Sequence, residues 1–130
     1  MSSSVLDASA VLAYVQGEPG AARVSEALAA GAMLSVVNLA EVVTKLAGDG
    51  LSEGAIRSAI NVLETEMAPF NEADAVSAGL LRTVTRPFGL SLGDRACVAL
   101  AIESGLPVLT TDRAWSNVAG PLNVEIEVIR

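Results

Sequence analysis

Four acidic residues in this chain stand where a fold could use them together. Asp7 and Asp112 each end a short apolar run, Val5-Leu6-Asp7 and Val108-Leu109-Thr110-Thr111-Asp112. Glu41 and Asp94 each fall in what reads as the first turn of a helix. Carboxylates gathered in a partly buried cleft repel one another and are stable there only with a cation or with raised pKa values. Oxygen-rich sites of this kind suit Mg²⁺ or Mn²⁺, ions that keep several waters and bind substrate phosphates. Such an ion lowers the pKa of a bound water and stabilises the leaving oxygen of an in-line phosphodiester displacement. Thr110 lies two residues before Asp112, so their side chains share one face of a strand. Ser9 follows Asp7 closely, and either hydroxyl could orient a ligand or water. The two helix-borne acids sit near helix N-termini, which also favour anionic groups.

Each acid has a purely structural alternative. Asp7 can cap the helix that starts at Ala8, and Asp112 can cap the turn after its strand. Asn38 with Glu41, and Ser91 with Asp94, both fit the spacing of a capping box. Ser9 and Thr110 can simply satisfy backbone groups. Pattern alone leaves a metal site and a set of caps both open.

Composition narrows the chemistry more firmly. The chain has no histidine and a single cysteine, Cys97. That excludes Ser-His-Asp or Cys-His catalysis in the usual form, histidine-based zinc sites and cysteine clusters. A lone cysteine on an apolar helix makes no internal disulfide and fits a reducing, cytoplasmic setting. The longest uncharged stretch, residues 27–40, contains Gly, Ser and Asn and is too short to span a membrane. No basic, then apolar, export signal opens the sequence. The net charge of −7 weighs against a nucleic-acid partner, although the four proposed site acids carry more than half of it.

At 130 residues, 52% apolar and 3% aromatic, the chain reads as one domain, 1–130, with an aliphatic core. Ser4–Asp7, Ala32–Ser35, Met67–Phe70, Val108–Asp112 and Glu125–Ile129 read as short strands. The last alternates and suits a sheet edge. Between them lie helices over Ala8–Gln16, Ala21–Ala30, a segment capped by Asn38, one opened by Ser52, one from Glu72 to about Val84, and the Asp94 helix. Gly17, Gly20, Gly31, Gly48, Gly50 and Gly105 punctuate these segments. Short apolar strands alternating with helices define an α/β domain with a mostly parallel sheet. Ligands in such folds gather beyond the carboxyl ends of the strands, where Asp7 and Asp112 fall.

Taken together, four segments resemble the PIN domain, most closely the VapC-type toxins of toxin–antitoxin pairs. They are Val5-Leu6-Asp7-Ala8-Ser9, Asn38-Leu39-Ala40-Glu41, Leu90 to Ala101 (Leu-Ser-Leu-Gly-Asp-Arg-Ala-Cys-Val-Ala-Leu-Ala), and Leu109-Thr110-Thr111-Asp112-Arg113-Ala114-Trp115. They occur in the family's order and span nearly the whole chain. The resemblance implies a three-layer α/β/α sandwich and a Mg²⁺- or Mn²⁺-dependent endoribonuclease acting on tRNA or rRNA. By family pattern the site acids are Asp7, Glu41, Asp94 and Asp112, with Thr110 as the associated hydroxyl. Asn117 is a weaker candidate for a further position. The resemblance also implies a homodimer and a cognate antitoxin that covers the site.

For RNA, the cations in segments next to these acids are Lys45, Arg82, Arg86, Arg95 and Arg113, with ordinary surface solvation as the alternative for each. Trp115 could stack on a base but better suits packing beneath the last motif. Tyr14 and the first two helices are candidate dimer or antitoxin contacts. Competing readings are an RNA-processing nuclease with no toxin role, a carboxylate phosphotransfer protein and a non-catalytic acidic interaction module.

Overall fold

The computed structural model of the chain describes residues 1–130. The elements run β1 (Ser4–Leu6), α1 (Ala8–Gln16), α2 (Ala21–Ala30), β2 (Ala32–Ser35), α3 (Val36–Gly48), α4 (Glu53–Asn61), β3 (Glu66–Ala68), α5 (Glu72–Leu80), α6 (Arg82–Thr85), α7 (Leu92–Ser104), β4 (Val108–Thr110), α8 (Ala119–Leu122) and β5 (Ile126–Val128). Short 3₁₀ turns cover Arg86–Phe88 and Arg113–Val118.

The five strands form one sheet in the order β3-β2-β1-β4-β5, and every pairing is parallel. Val5 stands beside Met33 on one side and Val108 on the other, so β1 is the central strand. The chain builds outward from β1 through β2 to β3, then returns to place β4 on β1's other flank. That reversal opens a crevice at the carboxyl ends of β1 and β4, the usual ligand position in open parallel sheets.

Alternation along the strands sorts the core into two layers. Leu6, Leu34 and Leu109 face the helices α1 to α4, packing with Val11, Val24, Val42, Leu46 and Ile56. Val5 and Val108 face the opposite side, against Cys97, Val98 and Trp115. The result is the three-layer α/β/α sandwich expected. Trp115 is 1% exposed, so packing, not base stacking, is its role.

Several element boundaries depart from expectation. α3 begins at Val36, with Ser35 as its cap accepting from the Val37 amide at 3.2 Å, so Asn38 is its third residue and not its cap. β3 ends at Ala68, before Pro69, which cannot donate to a ladder. The helix expected over Glu72–Val84 breaks after Leu80 into α5 and α6. Gly79 weakens the last turn of α5. Thr85 Oγ1 also donates back to the Leu81 carbonyl at 2.9 Å, a contact that bends helices. No helix is long and apolar enough to cross a membrane.

Candidate active site

Asp7 follows the end of β1 and caps α1. Its Oδ1 accepts from the Ala10 amide at 2.8 Å and the Ser9 hydroxyl at 2.7 Å, and its Oδ2 accepts from the Thr110 hydroxyl at 2.7 Å. The residue is only 4% exposed. Burial pushes its pKa up to about 6, against the lowering pull of those three hydrogen bonds, and the charge of Asp94 adds a small further rise. Desolvation thus outweighs three hydrogen-bond donors at this carboxylate.

The hydroxyls expected to support the site do so by tying two strand ends together. Thr110, fully buried at the end of β4, donates to Asp7 and accepts from the Asp112 amide at 3.1 Å. Ser9 donates to Asp7 and accepts from the Thr111 amide at 3.0 Å.

Asp94 forms the capping box foreseen with Ser91. Its Oδ2 accepts from the Ser91 amide at 2.9 Å, and its own amide donates to Ser91 Oγ at 3.1 Å. Asp112 is exposed and caps the 3₁₀ turn, accepting from the Ala114 amide at 3.0 Å. Capping is therefore real for Asp7, Asp94 and Asp112. Glu41 is different. Because α3 starts at Val36, Glu41 lies in the second turn, where neither a cap nor the helix N-terminus explains it. The first-turn position expected for it is wrong.

Glu41 instead points across to the first turn of α7. Its Oε1 accepts from Asn38 Nδ2 at 2.7 Å, and its carboxylate lies directly against the Cα of Gly93. Cys97, buried one turn further along α7, registers the convergence. Burial pushes its thiol pKa well up, and the charges of Asp7, Asp94 and Glu41 push it in the same direction. Three acids from separate parts of the chain thus act on one buried sulfur, while Asp112 is exposed where it caps the 3₁₀ turn. As their side chains are placed, no three acids form a ready-made ligand cluster. The donor set is nevertheless wholly carboxylate and hydroxyl oxygen, the chemistry that suits Mg²⁺ or Mn²⁺. A groove of about 530 Å³ between β3, α5 and α7, lined by Met33, Met67, Phe70, Leu81 and Leu100 among others, touches none of the four acids.

The cations divide. Arg82, Arg86 and Arg113 are exposed and make no ion pair. Lys45 is committed to Asp49 at 2.9 Å. Arg95, expected to reach RNA, is turned inward. It is 9% exposed, and its Nη1 donates to the Ala78 carbonyl of α5 at 3.0 Å. It ties helices together because its position on α7 faces α5, not the cleft. Asn117 is exposed on the 3₁₀ turn. Sequence reasoning paired Asn38 with Glu41 only as a capping box, where the contact is instead side chain to side chain, and it missed Gly93 as the surface Glu41 rests on. A glycine inside the first turn of a helix was the available signal.

The PIN domain profile matches residues 4–121, and the chain belongs to the PIN-domain family. No curated protein matches it significantly in sequence. Among solved structures, the chain is similar to VapBC2 from Rickettsia felis bound to a promoter DNA fragment, with 16% identity, TM-score 0.73, and 95% of this chain and 96% of that one covered. It is similar to a toxin–antitoxin complex from Klebsiella pneumoniae, with 16% identity, TM-score 0.74 and 98% of each chain covered. It also resembles VapBC-5 from Mycobacterium tuberculosis, with 23% identity, TM-score 0.62, and 97% of this chain and 98% of that one covered. These likenesses establish a shared fold.

Proposed function

We propose that this chain is a metal-dependent endoribonuclease, a VapC-like toxin that cleaves RNA phosphodiester bonds and is held inactive by a cognate antitoxin. The observation that carries this reading is geometric: the buried Asp7 is tied to Thr110 of β4 at 2.7 Å, and Glu41 rests on the first turn of α7, which carries Asp94. Asp7, Glu41 and Asp94 would hold the ion directly, with Asp112 at the outer edge. When bound, Mg²⁺ or Mn²⁺ supplies an acidified water and charge stabilisation for the leaving oxygen. The chain's own contribution is positional. Thr110 and Ser9 orient the Asp7 carboxylate, the Ser91 box fixes Asp94, and the exposed Arg82, Arg86 and Arg113 offer contacts to flanking phosphates.

The solved relatives that are toxin–antitoxin complexes support an antitoxin partner, and the lone buried thiol fits a reducing cytoplasm. A homodimer is part of the same reading. Tyr14 with α1 and α2 remains one candidate surface for it, and the exposed Val76, Leu80 and Val84 of α5 and α6 offer another.

The test is incubation of total tRNA and rRNA with the wild type and with Asp7→Asn, in Mg²⁺ or Mn²⁺ and in EDTA. Discrete fragments from the wild type alone, abolished by EDTA, are expected. A second reading, a non-catalytic acidic module, is favoured by the three acids that do act as caps. It requires that Mn²⁺ leave the melting temperature unchanged. The nuclease reading requires a rise that follows RT ln(1 + [L]/Kd).

A further inference from the structure

Asn38 is 1% exposed, and both hydrogens of its side-chain amide are used. Nδ2 donates to Glu41 Oε1 at 2.7 Å and to the Gly93 carbonyl at 3.0 Å. Its Oδ1 is buried with no partner. The flipped amide would set that oxygen against two acceptors, so the orientation is forced. Leaving a buried carbonyl unpaired is costly, and an apolar residue at this position would avoid the cost. What an apolar residue cannot do is bridge Glu41 to α7 with two donors on one nitrogen. Asn38 and Glu41 are three apart on α3, the spacing that puts side chains side by side.

Gly93 completes the arrangement from the other helix. Its backbone is helical and it is not among the glycines with positive φ, so conformation does not demand glycine. Glycine also lowers helix propensity there. Space is the reason, since a Cβ at this position would overlap the Glu41 carboxylate. No Lys or Arg pairs with Glu41. A neutral amide holds the acid in place and leaves its charge uncancelled.

We propose that Asn38 and Gly93 are positioning residues that clamp the Glu41 carboxylate at the crossing of α3 and α7, setting its place relative to Asp7 and Asp94 while preserving its charge for a cation. This rests on the metal-dependent reading above. Residues that orient a metal ligand through a hydrogen bond typically alter metal affinity roughly 10- to 100-fold when replaced.

The experiment compares wild type, Asn38→Leu, Gly93→Ala, Glu41→Ala and the pair Asn38→Leu/Glu41→Ala by calorimetric Mn²⁺ titration, with metal-free melts as the check on folding. Asn38→Leu and Gly93→Ala are each expected to weaken Mn²⁺ binding about 10-fold or more while retaining a cooperative melt. In the Glu41→Ala background, Asn38→Leu should weaken it no further. If one single variant fails to fold, the other carries the test. Wild-type affinity in a folded single variant overturns the clamp alone. So does an Asn38→Leu effect of equal size with and without Glu41. A wild type that binds no Mn²⁺ overturns the metal-dependent reading and the clamp together.

Discussion

Asp7 both caps α1 and contributes to the acidic pocket, and the pocket dominates its titration. Its pKa rises from 3.8 to about 6 with burial as the main cause. The folded state therefore holds more protons than the unfolded state between those values, and stability falls as pH rises through that window. The cost at neutral pH is about 3 kcal/mol, taking 1.36 kcal/mol per pKa unit. Asp7→Asn keeps an oxygen for the Ala10 amide and removes the charge. Without metal at pH 7.5 it should melt above the wild type, and the gap should close as pH approaches 4. Adding Mn²⁺ should raise the wild type only. A variant that melts below the wild type at pH 7.5 would show that hydrogen-bond geometry, not charge burial, controls this position. Asp7, Asp94 and Asp112 were legible as candidates because each ends a strand-like run or lies in a helix's first turn, whereas Glu41 was singled out for a first-turn position it does not hold. What holds Glu41 was not legible. Asn38 and Glu41 match a capping box so well that only the true helix start, at Val36 with Ser35 as its cap, reveals the amide as free for another use.

Elements decide which way such side chains face, and α7 shows how far sequence carries that. Its capping box, apolar body and closing Gly105 are all readable in order, and all are present. The facing of Arg95 is not readable, because α7 is apolar on nearly every side and its polar exceptions can point toward cleft or neighbour with equal logic. α5 settles the matter, since the Ala78 carbonyl near its C-terminal end accepts from Arg95 Nη1. Arg95 Nε stays buried without a partner. A side chain so placed acts through packing and one hydrogen bond. Arg95→Ala should destabilise the fold by about 1–3 kcal/mol, through lost packing and an orphaned carbonyl. Denaturant unfolding measures this. RNA affinity per folded molecule should be unchanged, and a selective loss of affinity at full stability would restore Arg95 to the substrate surface.

At the scale of the whole molecule, strand order does what no single motif can. Placing β4 beside β1, rather than beyond β3, brings Asp7 and Thr110 within one hydrogen bond although they are 103 residues apart in sequence. Alternating strands and helices announced a parallel sheet, but the order of its strands has no local signature. On the proposed reading, the same assembly has to bind a polyanion while carrying a net charge of −7. Only a few cations are free to help, since Lys45 is paired and Arg95 buried. If Arg82, Arg86 and Arg113 each neutralise one phosphate, each adds about 0.7 to the slope of log affinity against log salt for a single-stranded target. Replacing all three with alanine should flatten that slope by about 2 and weaken binding most at low salt. Fluorescence anisotropy with a cleavage-resistant RNA, using Asp7→Asn as the background, measures the slope directly. An unchanged slope would mean that cation-bridged contacts at the acids, or a second copy of the chain, supply the attraction these arginines do not.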